Sequence, residues 1–242
     1  MTYSILPPDK PVKPHIEPHN FFIYGATMAG KSFFSSYFPH PLVLNTDGNA
    51  SQGTAPSIQI RNQRDANGNL IMSSIDQLNA IINALQQPGV TFKTVIVDVI
   101  DDLCTMIDQA ICLQGGKETL ADFQYGKGYA KANSVLQRLV IDLKALPMDV
   151  IYVSRELEIT DDTTGITHYE PSLKTKQYNI VNGNCDLVIR MTHNGNDYGR
   201  IVKAKRANYK PSDITNPRVK YLLSKCEGMF PDESKQPKRA EA

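Results

Sequence analysis

Eight consecutive residues, Gly25-Ala26-Thr27-Met28-Ala29-Gly30-Lys31-Ser32, place glycine, lysine and serine in the order G-x-x-x-x-G-K-[ST]. That spacing suits one kind of chemistry, the cradling of phosphate groups. The glycines let the main chain curl until successive N–H groups converge on phosphate oxygens. Lys31 brings a positive charge to the β- and γ-phosphates of a nucleoside triphosphate, and the Ser32 hydroxyl is a hard oxygen ligand for Mg²⁺. Phe33 follows directly and is counted with the loop.

A loop of this kind needs a second acid, at the end of a hydrophobic strand, to hold the Mg²⁺ through water. Asp98 closes Thr94-Val95-Ile96-Val97 and fits. Asp101 and Asp102 lie beyond that run and read as charges at the start of the next helix. Hydrolysis also needs a group that orients or deprotonates water. Asp47, in Asn45-Thr46-Asp47-Gly48, is the candidate, with a simple Asp-Gly turn as the competing reading. Ser154 and Arg155 end another apolar run. There they either sense the terminal phosphate or leave Arg155 in an ordinary surface ion pair.

The most basic stretch is Lys203-Ala204-Lys205-Arg206, continued by Lys210, Arg218 and Lys220. Three readings compete: a solvated face, contacts to a nucleic-acid backbone, and cations that reach the nucleotide of an adjacent subunit. Tyr198, Tyr209 and Tyr221 either stack on nucleic-acid bases or pack as strand tyrosines. His15, His19, His40, His168 and His193 have no metal-ligand spacing.

These groups need elements to position them. Asn20–Tyr24 is a short apolar, aromatic run that reads as a buried strand entering Gly25. A short helix is expected from Lys31 to before Pro39, then a strand over Pro41–Asn45. Residues 48–70 are polar and rich in Gly, Asn and Gln, and read as a long surface loop with one small strand at Ser57–Ile60. Ser73–Gln87 is an amphipathic helix with Ile75, Leu78, Ile81, Ile82 and Leu85 on one face, ended by Pro88-Gly89. The strand Thr94–Asp98 is followed by helical patterns over 100–113 and 129–146, then a strand at Val150–Ser154. Glu156–Thr160 and Ile166–Glu170 flank Asp161-Asp162-Thr163-Thr164-Gly165 as a hairpin. Asp186–Met191, Arg200–Ala204 and Val219–Leu223 read as further strands. Strand–helix alternation followed by strands predicts an α/β fold, a mainly parallel sheet flanked by helices with C-terminal antiparallel strands.

The 242 residues are 41% hydrophobic and 21% charged, an ordinary globular balance that excludes wholesale disorder. With Lys+Arg 26 against Asp+Glu 25, a globally basic polyanion binder is excluded, though a local basic face is not. No apolar run is long enough for a membrane span, and the first residues lack the apolar core of a secretory signal. Cys104, Cys112, Cys185 and Cys226 form no CxxC pair, so reduced core thiols are expected rather than a zinc site. Pro7, Pro8, Pro11, Pro14 and Pro18 favour an extended arm over residues 1–19. A single ATPase domain is expected over 20–228 and a loose polar tail over 229–242.

The order of these elements resembles the RecA-like P-loop ATPases. It looks most like the small phage-encoded nucleotide-binding proteins of that group, including single-strand annealing proteins of the Sak type. The residues that carry the resemblance are Gly25–Ser32, Asn45–Gly48, Val95–Asp98, Val150–Glu156 and Cys185–Arg190 leading to Val202–Arg206. The resemblance implies an ATP- and Mg²⁺-dependent ATPase with nucleotide between subunits of a ring or filament. It also implies single-stranded DNA and a single-strand binding protein as partners, and a bacterial host's cytoplasm as the setting. By the same resemblance Asp47 stands where the catalytic base, usually Glu, is found, and Lys203, Lys205 and Arg206 stand where cations cross the interface. Three alternatives stay open: a helicase loader or AAA+-type remodeller, which usually has a helical lid; a small-molecule kinase, which would need an arginine-rich lid where Asp161–Thr167 is acidic; and a non-hydrolysing ATP-binding scaffold.

Overall fold

The computed structural model describes residues 9–13, 16–49 and 53–231. The expected prolines Pro7, Pro8 and Pro14, and the tail from 232, lie outside those residues. Ten strands and six helices follow in chain order. They are β1 (Asn20–Gly25), α1 (Lys31–Ser36), β2 (Pro41–Asn45), β3 (Ser57–Gln59), β4 (Gln63–Arg64), β5 (Leu70–Met72), α2 (Ser74–Leu85), β6 (Thr94–Asp98) and α3 (Ile100–Gly115). Then come α4 (Lys127–Lys144), β7 (Asp149–Thr160), β8 (Thr167–Pro171), α5 (Thr175–Asn182), β9 (Leu187–Asn194), β10 (Asp197–Lys205) and α6 (Pro217–Ser224).

The sheet runs β10-β9-β1-β7-β6-β2-β3, with β8 paired to β7. All neighbours are parallel except β9–β10 and β7–β8. This is the α/β fold the sequence predicts. Every residue of β1 and β6 is buried, because helices cover both faces. Alternation divides them. Phe22, Tyr24, Val95 and Val97 join α2, α3, α4 and α5 in one core. Phe21, Ile23 and Ile96 join α1 and α6 in the other. Two-sided burial turns strands into unbroken apolar runs, which is why they are legible by composition and not by period.

The register aligns the strand ends. Gly25 faces Arg155 on β7 and Met191 on β9. Asp98 faces Val153 on β7 and Asn45 on β2. One edge of the sheet therefore carries Gly25, Asn45, Asp98 and the Ser154–Arg155 pair side by side.

Several helix ends follow local rules. Ser73 caps α2 in a reciprocal box with Asp76, and Gly116 in the left-handed region ends α3. The strand expected at Val219–Leu223 is instead the helix α6. Asn216 accepts from the N–H groups of Arg218 and Val219, Pro217 takes the first helical position, and Val219, Leu222 and Leu223 share the buried face. The apolar spacing of three and four is helical, and a short β-branched start disguises it. Helix α5 has no strong signal in the sequence and covers part of the first core through Ile180 and Val181.

Two expected strands, at 150–154 and 156–160, are one continuous β7. Its second half leaves the sheet and pairs only with β8. The turn between them is the expected one, with Asp161 accepting from the N–H groups of Thr163 and Thr164. The polar stretch at 48–70 contains the start of a small β4–β5 hairpin.

At the opposite end of the sheet, the end of the arm is pinned. Glu17 accepts from Thr215, His19 pairs with Asp149 at 2.7 Å, and Asp186 accepts from the N–H groups of His19 and Asn20. Packing continues through Met229 and Phe230, past the expected domain edge at 228. The four cysteines are buried free thiols. No helix among the described residues is long and apolar enough to cross a membrane.

The tightest constraint in the sheet is at Gly25. A Cβ there would lie 2.1 Å from the Met191 carbonyl oxygen, closer than real atoms approach. Gly25→Ala must push β1 from β9 and is expected to lower stability by about 2 kcal/mol or more, read as the urea midpoint without nucleotide. An unshifted midpoint would show that the two strands are not held this close.

Candidate functional site

The loop after β1 is closed by its own lysine. The Lys31 ammonium donates to the carbonyls of Gly25 at 2.8 Å and Ala26 at 2.7 Å. An ammonium has three protons, so one is left for an anion in the loop. Gly30 sits at φ 80°, ψ 17°, a left-handed turn that glycine adopts without strain, directly before α1. Met28 takes φ 66° and stands 83% exposed at the loop's crown. Lys31 is itself buried. Burial lowers its pKa, and the carboxylate of Asp98 pulls it back up.

Asp98, at the end of β6, is also buried and accepts a hydrogen bond from Ser32. Burial raises its pKa first of all. The Ser32 hydrogen bond lowers it, the neighbouring Asp47 charge raises it, and Lys31 lowers it. One strand, β7, separates β1 from β6, so the strand that enters the loop and the strand that ends in this acid stand two strand spacings apart, ~10 Å in all. That span suits the outer end of a triphosphate with its ion and water.

Thr46 fixes the geometry between β2 and β6. Its N–H donates to the Asp98 carbonyl at 2.8 Å. Its hydroxyl accepts from the Val99 N–H at 2.6 Å and donates to the Val99 carbonyl at 2.9 Å. The next residue, Asp47, is thereby held at the same edge as Asp98. Its carboxylate is exposed and accepts from the Asn49 N–H at 3.0 Å and the Asn49 side chain at 2.8 Å.

Ser154 and Arg155, at the level of Gly25 on β7, are held by the first turn of α3. The Ser154 hydroxyl donates to Asp101 at 2.7 Å, and the Arg155 N–H donates to the other Asp101 oxygen at 2.8 Å. The Arg155 guanidinium grips Asp102 with two hydrogen bonds, 2.8 and 2.7 Å. Asp101 and Asp102 do stand in the first turn of their helix as expected. Their further work, pinning the end of β7, is invisible in sequence because the partners are more than fifty residues away. Beside them the Arg190–Glu156 pair, 2.9 Å apart, ties β9 to β7, with Tyr169 stacked on Arg190 at 3.8 Å. The only signal for that pair in sequence is a charge late in each apolar strand.

The basic stretch is not brought to the loop. Since β10 runs antiparallel to β9, Lys205 pairs with Leu187 at the far end of the sheet. Lys205 donates to the carbonyls of Gly228 and Met229, each at 3.1 Å. Arg206 donates to those of Gly183 and Cys185 and pairs with Asp186. Lys203 stands exposed at the bulge between Val202 and Ala204. Tyr209 packs in the second core, whereas Tyr198 and Tyr221 are exposed.

A cleft of about 550 Å³ opens along α1 from Lys31, Ser32 and Asp98 to Tyr37 and Arg218. A larger cavity, about 740 Å³, lies at the opposite end of the sheet against His19 and Asp149 and holds none of these groups. Among the described residues, no cluster of three His, Cys, Asp or Glu is placed to hold a metal ion. Ser32 and Asp98 offer two hard oxygens, so a divalent ion needs phosphate and water to complete its shell. The donor set fits Mg²⁺ that arrives with a nucleotide, and a buried ammonium beside a curled main chain fits the phosphates.

A family model described as an AAA domain matches residues 17–221. No curated protein matches the chain. The match spans most of the sequence, and the chain belongs to the AAA domain family, a family of P-loop ATPase type.

Asp101 offers a pH test of the pinned strand end. Burial pushes its carboxyl up to about 6, against the hydrogen bonds from Arg155 and Ser154. A carboxyl whose pKa rises on folding favours the folded state below its unfolded value, near 3.8. That contribution is lost as pH climbs through about 6. Between pH 4 and pH 7 the stability difference between Asp101→Asn and wild type should move in favour of the variant by about 2 kcal/mol, measured by urea unfolding. A difference independent of pH would place Asp101 in open solvent.

Proposed function

We propose that this AAA domain chain binds ATP with Mg²⁺ and hydrolyses it. We further propose that it works as an assembly of copies on single-stranded DNA in phage recombination, by annealing or strand pairing, in the cytoplasm of a bacterial host. The observation that carries the nucleotide half is the convergence of Lys31, Ser32 and Asp98 at one sheet edge. The DNA half is supported by the order of elements from Gly25 to Arg206, which resembles RecA-like annealing proteins, and by the exposed cations Lys203, Lys210 and Arg218.

In this reading the loop amides and Lys31 bind and neutralise the β- and γ-phosphates. Ser32 and Asp98 would hold the ion, which would supply charge neutralisation on the transferred phosphoryl group. Asp47 orients the attacking water once its carboxylate turns from Asn49 toward the site. Ser154 and Arg155, held by Asp101 and Asp102, mark the position of the terminal phosphate between the loop strand and the acid strand. Lys205 and Arg206 hold local carbonyls, so contact with DNA or a neighbouring copy falls first to Lys203.

A second reading, a helicase-loader or AAA+-like replication ATPase, draws on the family match. Residues 185–225 weigh against it, since they hold β9, β10 and one helix in place of a helical lid. A non-hydrolysing ATP scaffold draws on the engagement of Asp47 by Asn49.

ATP turnover measured with and without single-stranded DNA, alongside the size of the complex, separates these readings. The proposal expects DNA to stimulate turnover and copies to assemble. Lys31→Ala should weaken ATP binding and abolish turnover, and Asp47→Asn should keep binding and stop hydrolysis. Turnover indifferent to DNA across a range of salt, with no DNA retained, removes the recombination role. Tight ATP binding without phosphate release selects the scaffold.

A further inference from the structure

The protein oxygens that would meet the ion fix the direction of the bound nucleotide. Ser32 and Asp98 lie on the β6 side of the loop, with Ser154 and Arg155 between them and β1. The outer phosphate belongs on that side. The sugar and base must then leave the loop on the other side, over Gly30 toward β9 and β10.

A ring waits there. Strand β9 continues three residues beyond Met191, the partner of Gly25, before the tight turn into β10. Those three residues lift the hairpin about 10 Å past that level. Tyr198 stands near its tip, directly opposite His193, with ring centroids 4.7 Å apart and planes tilted by 38°. The Tyr198 ring lies 3.6 Å from where a Cβ on Gly30 would sit, and the left-handed φ of Gly30 keeps that position free of a side chain. Tyr198 is 51% exposed. The hairpin is braced below. Arg200, on the same face of β10, lays its guanidinium 5.1 Å from the centre of the Phe34 ring of α1. The aromatic surface is thus held against the loop by a strand and a helix rather than by a free terminus.

We propose that Tyr198, backed by His193, is the platform on which the base of the nucleotide stacks. The inference rests on the phosphate-loop reading and adds the other end of the ligand to it. Stacking uses the π-face that every base presents, so the platform accepts adenine and guanine alike and adds affinity without strong discrimination.

The test uses the full chain with Mg²⁺ and three probes: ATP, GTP and inorganic tripolyphosphate, which has the phosphates without a base. By calorimetry Tyr198→Ala should weaken ATP and GTP about tenfold and leave tripolyphosphate unchanged, while Tyr198→Phe stays within about twofold of wild type. Tyr198→Leu, which keeps apolar bulk without a π-face, should behave as Tyr198→Ala and covers the case in which the smaller side chain fails to fold. The chain has no tryptophan, so Tyr198→Trp places a single reporter at the site. Its fluorescence should be quenched by ATP and GTP and not by tripolyphosphate. Equal losses for ATP and tripolyphosphate, or undiminished ATP affinity in Tyr198→Leu, overturn the platform while leaving the phosphate loop standing. Failure of wild type to bind tripolyphosphate, with Lys31→Ala binding ATP as wild type does, overturns the loop reading and the platform with it.

Discussion

A buried ammonium is the constraint on which the rest of the site depends. Lys31 gives up water and receives two main-chain carbonyls in return, and in doing so draws the loop into a ring around itself. Close by, the Asp98 side chain is buried at the end of β6. Burial drives both groups toward their neutral forms, and each charge holds the other in place. Such a pair is a poor source of stability, because removal from water offsets most of the attraction. It is a good receptor for a ligand that brings both an anion and a cation, since phosphate oxygens meet the ammonium while the divalent ion meets the carboxylate.

Holding two opposite charges at a fixed separation requires a rigid frame, and the parallel sheet provides it. Helices on both faces bury β1, β6 and residues Val150–Ser154 of β7, so the register between them cannot slip without exposing a core residue. Asn45 and Asp98 end β2 and β6 level with each other, and Gly25 ends β1 two residues further along β7. Thr46 ties β2 to the exit of β6, and Asp101 with Asp102 tie the end of β7 to α3. Main-chain and carboxylate bonds, rather than flexible side chains, set where each functional group stands.

What the sequence did not place was decided in part by near neighbours and in part by remote ones. Val219–Leu223 reads as a strand by residue type, yet Asn216 and Pro217 begin a helix there and the second core accepts its apolar face. Lys205 and Arg206 read as a solvated face, as contacts to a nucleic-acid backbone, or as cations that reach the nucleotide of an adjacent subunit. The antiparallel turn into β10 carries them to the far end of the sheet, where main-chain carbonyls engage them. Asp101 and Asp102 read as helix-end charges, and they are, but their hydrogen-bond partners come from a strand folded against them. Adjacent residues start the helix at Pro217, whereas remote neighbours fix the two cations and the two acids.

The phosphate loop, the acid at the end of an apolar run and the alternation of strands with amphipathic helices were all legible in the amino-acid order, because each depends on residues within one turn or one strand. Gly30 before Lys31 and Val97 before Asp98 need no distant partner to be recognised. The strand order was not legible: nothing local places β7 between β1 and β6, or sets Gly25 so close to Met191 that only hydrogen fits. Nor could residue spacing bring Tyr198 to Gly30 across 168 positions of chain. Those placements follow from which buried faces pack together, a property of the whole core and not of any segment of it.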